Sequence, residues 1–219
     1  MDSVSQLVDY FLHLDRYLEV VIKSYGVWTY GILFAIVFCE TGLVVTPFLP
    51  GDSLLFAAGA LTATTSLRVE WLVILLCIAA VAGDAVNYAV GHFFGEVLTK
   101  RGGRLIKKEH LDRTHRFFER HGKKTIVLAR FVPIVRTFAP FVAGLGRMGY
   151  MQFAAYNVIG GCAWVFSMVG AGRLFGSIPL VKEYFSLVIL AIVVLSVVVP
   201  LAVEVRHSKG PLFRGRRSA

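Results

Sequence analysis

Apolar residues run along this chain in long blocks divided by short charged ones. Tyr150 to Gly172 is 23 residues without a charge, and Ser186 to Val203 is 18 more. Val69 to Gly95 forms a third block, interrupted by Glu70, Asp84 and His92. A helix needs roughly 17–25 mostly apolar residues to cross a bilayer, so each block predicts a transmembrane helix. Two further pieces are too short. Val27 to Cys39 gives only 13 uncharged residues before Glu40, about 20 Å of helix against a hydrocarbon core of about 30 Å. Ser53 to Leu67 is a second half-length run. Between them Pro47, Pro50 and Gly51 cannot sit inside one straight helix. Two half-helices joined at a Pro/Gly break predict a re-entrant hairpin, which is tolerated at membrane depth only inside protein or beside a wet cavity. One kinked spanning helix is the alternative.

The second half repeats this order. Thr125 to Ala129 leads into a stretch broken by Pro133 and Pro140. Aligning Glu40 on Arg130 brings Phe48 onto Phe138 and Pro50 onto Pro140. Each long helix then closes on similar text, Gly91-His-Phe-Phe-Gly95 and Gly172-Arg-Leu-Phe-Gly176. Near the N-terminus, Leu7, Tyr10, Phe11, Leu14, Leu18, Val21 and Ile22 fall at helical spacing and predict an interfacial amphipathic helix. Asp2, Asp9, Asp15 and Glu19 argue against a cleaved signal peptide there.

Composition agrees with a membrane protein. Hydrophobic residues make up 56% and charged ones 17%, against about 25% charged in ordinary soluble domains. The net charge of +9 does not point to nucleic acid, because the basic residues sit between and after apolar blocks. Residues 100–124 hold ten Lys and Arg against three acids, and the tail adds Arg206, Lys209, Arg214, Arg216 and Arg217. Such clusters mark cytoplasmic segments, so the C-terminus is expected inside. The two halves then run in opposite directions, as inverted repeats. Paired, Pro/Gly-interrupted segments in such repeats point to a transporter binding site.

The expected architecture is an all-α polytopic membrane protein forming a single membrane domain over residues 1–219. Repeat one covers about 5–95 and repeat two about 105–176. A last transmembrane helix covers about 182–205, with a basic cytoplasmic tail at 206–219. Cys39, Cys77 and Cys162 lie in apolar stretches without CxxC or Cys/His clusters, so neither a disulfide framework nor a metal site is expected.

Two motifs carry a resemblance. Phe38-Cys-Glu-Thr-Gly-Leu-Val-Val-Thr-Pro-Phe-Leu-Pro-Gly-Asp-Ser53 and Ala129-Arg-Phe-Val-Pro-Ile-Val-Arg-Thr-Phe-Ala-Pro-Phe-Val-Ala-Gly144 resemble the DedA family of bacterial inner-membrane proteins, also called the VTT or SNARE-associated-Golgi domain family. The resemblance extends over nearly the whole chain. It implies the re-entrant inverted-repeat fold, a place in the inner membrane and a role in membrane homeostasis. Bacterial members look like translocators of polyprenyl-phosphate carriers or proton-dependent transporters, and eukaryotic relatives resemble lipid scramblases. The family's functional acids map onto Glu40 and Asp52, and its functional arginines onto Arg130 and Arg136.

Elementary chemistry supports those four. A charge at a helix centre costs roughly 2.5–3.5 kcal/mol on insertion scales, so intramembrane charges mark either a substrate path or a fastener of buried ion pairs. As a site, Arg130 and Arg136 would receive a phosphate, which guanidinium binds bidentately. Glu40 and Asp52 would carry protons. Asp84, Asn87 and Tyr88 share one helix face and form either an interior polar stripe or, for Asp84 and Asn87, a secondary part of the site. No paired His/Asp or Ser/His constellation and no metal-ligand spacing suggest an enzyme. A transporter or flippase without cofactor is therefore expected, with membrane lipids, polyprenyl phosphate among them, and protons as partners. A lipid phosphatase and a structural envelope protein are the alternatives. The reading is compatible with a homo-oligomer.

Overall fold

The computed structural model describes residues 14–43, 51–100, 125–176 and 178. Among these residues the fold is all helix: α1 (Leu14–Tyr25), α2 (Trp28–Gly42), α3 (Gly51–Leu61), α4 (Val69–Lys100), α5 (Pro133–Leu145) and α6 (Tyr150–Phe175), with a further helical stretch at 125–129. Pro47, Pro50, the expected helix at 182–205 and the basic tail lie outside the described residues, as does the basic segment beyond Lys100 up to residue 124.

Two helices are long and apolar enough to cross a membrane, over Val69–Phe94 of α4 and over the whole of α6. Their outer faces agree. Trp71, Ile74, Ile78, Val86, Val90 and Phe93 form an exposed apolar stripe at helical spacing along α4, and Val158, Ile159 and Phe166 do the same on α6. Water would not support so much contiguous apolar surface; lipid would. The shorter helices α2, α3 and α5 cannot span alone. Leu18 of α1 is buried in one cluster with Leu54 and Leu55 of α3, so part of the amphipathic face of α1 rests on the protein's own core.

The inner packing is reciprocal. α3 lies along α6, and α5 lies along α4. At the first crossing, a Cβ on Gly172 would overlap the Phe56 carbonyl, and one on Gly59 would overlap the Val169 carbonyl. At the second, a Cβ on Gly91 would overlap the Phe141 carbonyl, and one on Gly144 the Tyr88 carbonyl. Each crossing uses a residue and the glycine three places on, from both helices. Small residues let helix backbones approach this closely. These contacts pair Phe56 with Phe141 and Gly59 with Gly144, a different register from the one that sets Pro50 on Pro140.

Pro140 corrects a sequence expectation, since it lies inside α5 and breaks nothing. Packing of α5 along α4 holds the helix through the hydrogen bond that a proline cannot donate. The break comes earlier. Arg130, Phe131 and Val132 close tightened turns onto Val127, Leu128 and Ala129, and Val132 is extended at φ −117°, ψ 103°. That conformation follows from the ring of Pro133, which disfavours helix in the preceding residue. Pro133 itself starts α5, where a missing N–H costs nothing. Gly51 likewise starts α3.

Candidate functional site

The ends of the short helices meet in the interior. Glu40 closes α2, Asp52 opens α3, and Arg136 lies in the first turns of α5. Arg136 Nη2 donates to Glu40 Oε1 at 2.6 Å, and Nη1 donates to Asp52 Oδ1 at 2.8 Å. One guanidinium thus joins three helices. Trp164 of α6 lies beneath it, with the guanidinium carbon 4.5 Å from the ring centroid. The same indole donates Nε1–H to Asp52 Oδ1 at 2.7 Å. Gly51 leaves room for this arrangement, because a Cβ there would overlap the Glu40 carboxylate.

Arg130 does not join that cluster. Its Nη2 pairs with Asp84 Oδ2 and also donates to Asn157 Oδ1 and, at 3.3 Å, to the Ala80 carbonyl. Asn157 in turn donates Nδ2 to the Val81 carbonyl at 3.0 Å. The two centres adjoin, close enough for Asp84 and Arg136 to interact electrostatically. Asn87 stitches helix ends rather than holding a charge. Its Nδ2 donates to the carbonyls of Thr41, at 3.1 Å, and Thr137, at 2.8 Å. Tyr88 donates its hydroxyl to the Met148 carbonyl.

Glu40, Asp84, Arg130 and Arg136 are each at most 4% exposed. Several of their polar atoms have no hydrogen-bond partner among the described residues: Glu40 Oε2, Asp84 Oδ1, Arg130 Nε and Nη1, and Arg136 Nε, together with Ser53 Oγ and Asn87 Oδ1. Buried polar atoms are rarely left so. Spare donors on two guanidiniums and spare acceptors on two carboxylates suit a site that exchanges partners. Among the described residues three carboxylates, Glu40, Asp52 and Asp84, face two guanidiniums, one acid more than the bases. Among the described residues no group of three or more His, Cys, Asp or Glu is placed to hold a metal ion.

Sequence reasoning found Glu40, Asp52, Arg130 and Arg136 and placed Asp84 second. It missed Asn157 and Trp164. Asn157 had a usable signal, as one of two amides, with Gln152, in a 23-residue uncharged block. Trp164 had none, since an aromatic in an apolar helix is unremarkable by pattern alone.

Comparison with known proteins assigns the family. A model described as the VTT domain matches residues 49–174, which include every site residue named above except Glu40 and Thr41. Protein DedA of Escherichia coli strain K12 is 54% identical over 212 residues, covering 95% of this chain and 97% of that protein. The chain belongs to the DedA family. An uncharacterized membrane protein of Mycobacterium tuberculosis strain H37Rv is 44% identical over 192 residues, covering 86% of this chain and 82% of the relative. Inner membrane protein YqjA of E. coli K12 is 34% identical over 156 residues, 71% of each chain. No solved structure matches.

Proposed function

We propose that the chain is a multi-pass inner-membrane translocator that carries a phosphate-bearing lipid, of polyprenyl phosphate type, in exchange with protons and without making or breaking a covalent bond. The observation that carries this reading is Arg136, held between Glu40 and Asp52 where α2 ends and α3 begins, with spare polar atoms beside it. A phosphate competes for the same guanidinium. It cannot simply add to a cluster that already has a carboxylate in excess. Protonation of Glu40 or Asp52 removes that excess and frees Arg136 for the incoming anion. Departure of the anion on the other side returns the proton. Linkage makes the effect mutual: acid tightens anion binding as far as the anion favours protonation.

Reciprocal packing of α3 on α6 and α5 on α4 supports reading the halves as inverted repeats, each with a re-entrant pair of half-helices. The name of YqjA and the positive-inside bias support an inner-membrane location with the C-terminus in the cytoplasm. Support for membrane and envelope homeostasis is the expected role. The test is a proteoliposome carrying a labelled polyprenyl phosphate, with and without a pH gradient. Movement without phosphate release is the expected result. Phosphate release would make the chain a phosphatase, and neither movement nor release would leave a structural protein. For the topology, a cysteine at Thr65 should label from outside; labelling from the cytoplasm alone would refute the inverted repeat.

A further inference from the structure

A cavity of about 510 Å³ opens between α4 and the turn that joins α5 to α6, and the charge clusters do not use it. Tyr88, His92, Phe93, Arg147, Met148 and Tyr150 line it, with no acidic side chain among the described lining residues. The volume lies within the range of small-ligand sites, roughly 300–1,000 Å³.

Its position is informative. In the sequence no acidic or basic residue other than His92 follows Asp84 on α4 until Glu96, and the apolar span of α6 begins at Tyr150. Both spans therefore leave the hydrocarbon beside the cavity, which places it at headgroup level, where tyrosines commonly sit. Outside it, Phe93, Phe94 and Met151 are exposed and offer apolar surface to acyl chains. The chain that follows Lys100 is rich in Lys and Arg, as suits an anionic leaflet.

Charge and backbone agree with that position. Arg147 is exposed and forms no ion pair among the described residues. It stands at φ +56°, a left-handed conformation that favours glycine. Glycines occur close by, at 146 and 149, yet the strained position carries an arginine. The turn is pinned in that shape. Arg147 N–H donates to the Gly144 carbonyl at 3.0 Å, Met148 N–H donates to Ala143 at 3.0 Å, and the Tyr88 hydroxyl donates to Met148. The ring of His92 stacks near Tyr88, with centroids 6.1 Å apart and planes 12° from parallel. The hydrogen bonds of the turn make Arg147 the left-handed cap that closes α5, and the cap sets its side chain against the cavity.

We propose that this cavity binds the phosphate of an anionic membrane lipid, with Arg147 as the main ligand and His92 and Tyr150 as hydrogen-bonding neighbours. The site shares no residue with the Glu40, Asp52 and Arg136 cluster, so it stands or falls separately from the translocation reading. The test uses the full-length protein in neutral detergent, titrated with short-chain phosphatidylglycerol, phosphatidylcholine and inorganic phosphate. Phosphatidylglycerol should bind at least tenfold more tightly than either of the others. Arg147→Gly removes the guanidinium and relaxes the backbone, so it should weaken that binding tenfold or more while the unfolding temperature holds or rises. Arg147→Gln carries the same expected loss of binding and serves if the glycine variant folds poorly. Unchanged phosphatidylglycerol affinity in either folded variant overturns the proposal. Inorganic phosphate binding as tightly as the lipid overturns it too, and leaves a site for a free anion.

Discussion

Arg130 and Arg136 are six positions apart, both buried, and yet solve the problem of an intramembrane charge in opposite ways. Arg130 has one carboxylate, Asp84, plus the neutral Asn157 and the Ala80 carbonyl. Its charge is matched one for one. Arg136 has two carboxylates, from α2 and α3, and an aromatic face beneath it. That centre has an acid to spare. A matched pair in a dry interior gains little from changing partners, whereas an over-supplied one invites a proton or a competing anion. The translocation proposed above thus needs only the Arg136 centre; the Arg130 centre, although its Nε and Nη1 have no partner among the described residues, is expected to act as a fastener between α4, α6 and the turn before α5.

The comparison predicts its largest effect at Arg130. Arg130→Ala leaves Asp84 buried without a counter-charge and should cost about 3–5 kcal/mol, seen as lost protein in the membrane fraction. Combining Asp84→Asn with Arg130→Gln should restore most of that stability. An Arg130→Ala variant as stable as the native chain would break the contrast.

Next comes Trp164. Trp164→Phe keeps a ring under Arg136 but removes the donor to Asp52, and a hydrogen bond to a charged group contributes about 1.5–3 kcal/mol. Thermal unfolding in detergent measures the loss. A transport defect larger than the stability loss would place the indole in the working centre.

Glu40→Gln should change stability less, because Arg136 keeps Asp52. Its effect belongs in the pH dependence. In the native chain, anion affinity should fall as pH rises through the titration of the spare acid, by at most about tenfold per pH unit for one linked proton. In Glu40→Gln the slope should flatten and transport against a gradient should fail. A native affinity that ignores pH would defeat proton coupling, though a passive flippase would survive it.

The smallest effect is expected at Gly161, beside the fastener. A Cβ there would stand 3.2 Å from Val81 Cγ2 and 3.3 Å from the Arg130 guanidinium carbon. Gly161→Ala should cost about 1 kcal/mol, at the low end of overpacking, with transport per molecule unchanged. Lost transport at normal abundance would show that the Arg130 centre also moves.

The helices themselves were legible in the sequence because local composition decides them. Val69 to Gly95 and Tyr150 to Gly172 became α4 and α6, and the half-length runs around Pro47 and Pro50 became α2 and α3 with shifted ends. Residue types at the site were legible for a different reason: a charge in an apolar block must be compensated somewhere. Which charge compensates which was not. Arg136 reaches Asp52 across 84 positions and Glu40 across 96, and nothing local distinguishes those partners from Asp84. Pro140 misled because proline disfavours isolated helices, while tertiary contact along α4 carried α5 through it.

Reciprocal packing of the half-helices also orders the birth of the molecule. α3 is 11 residues long, about 16 Å of helix, and its Phe56 and Gly59 meet partners on α6 that are synthesised roughly a hundred residues later. Until then the α3 face that carries Phe56 and Gly59 lacks its α6 partner, and a helix of this length cannot cross the bilayer alone. α5 differs, for its partner α4 is already in place when it emerges. The first half of the chain is thus finished last, by arrival of α6, and any nascent chain that stalls before that helix leaves a half-inserted molecule for the cell's membrane proteases to clear.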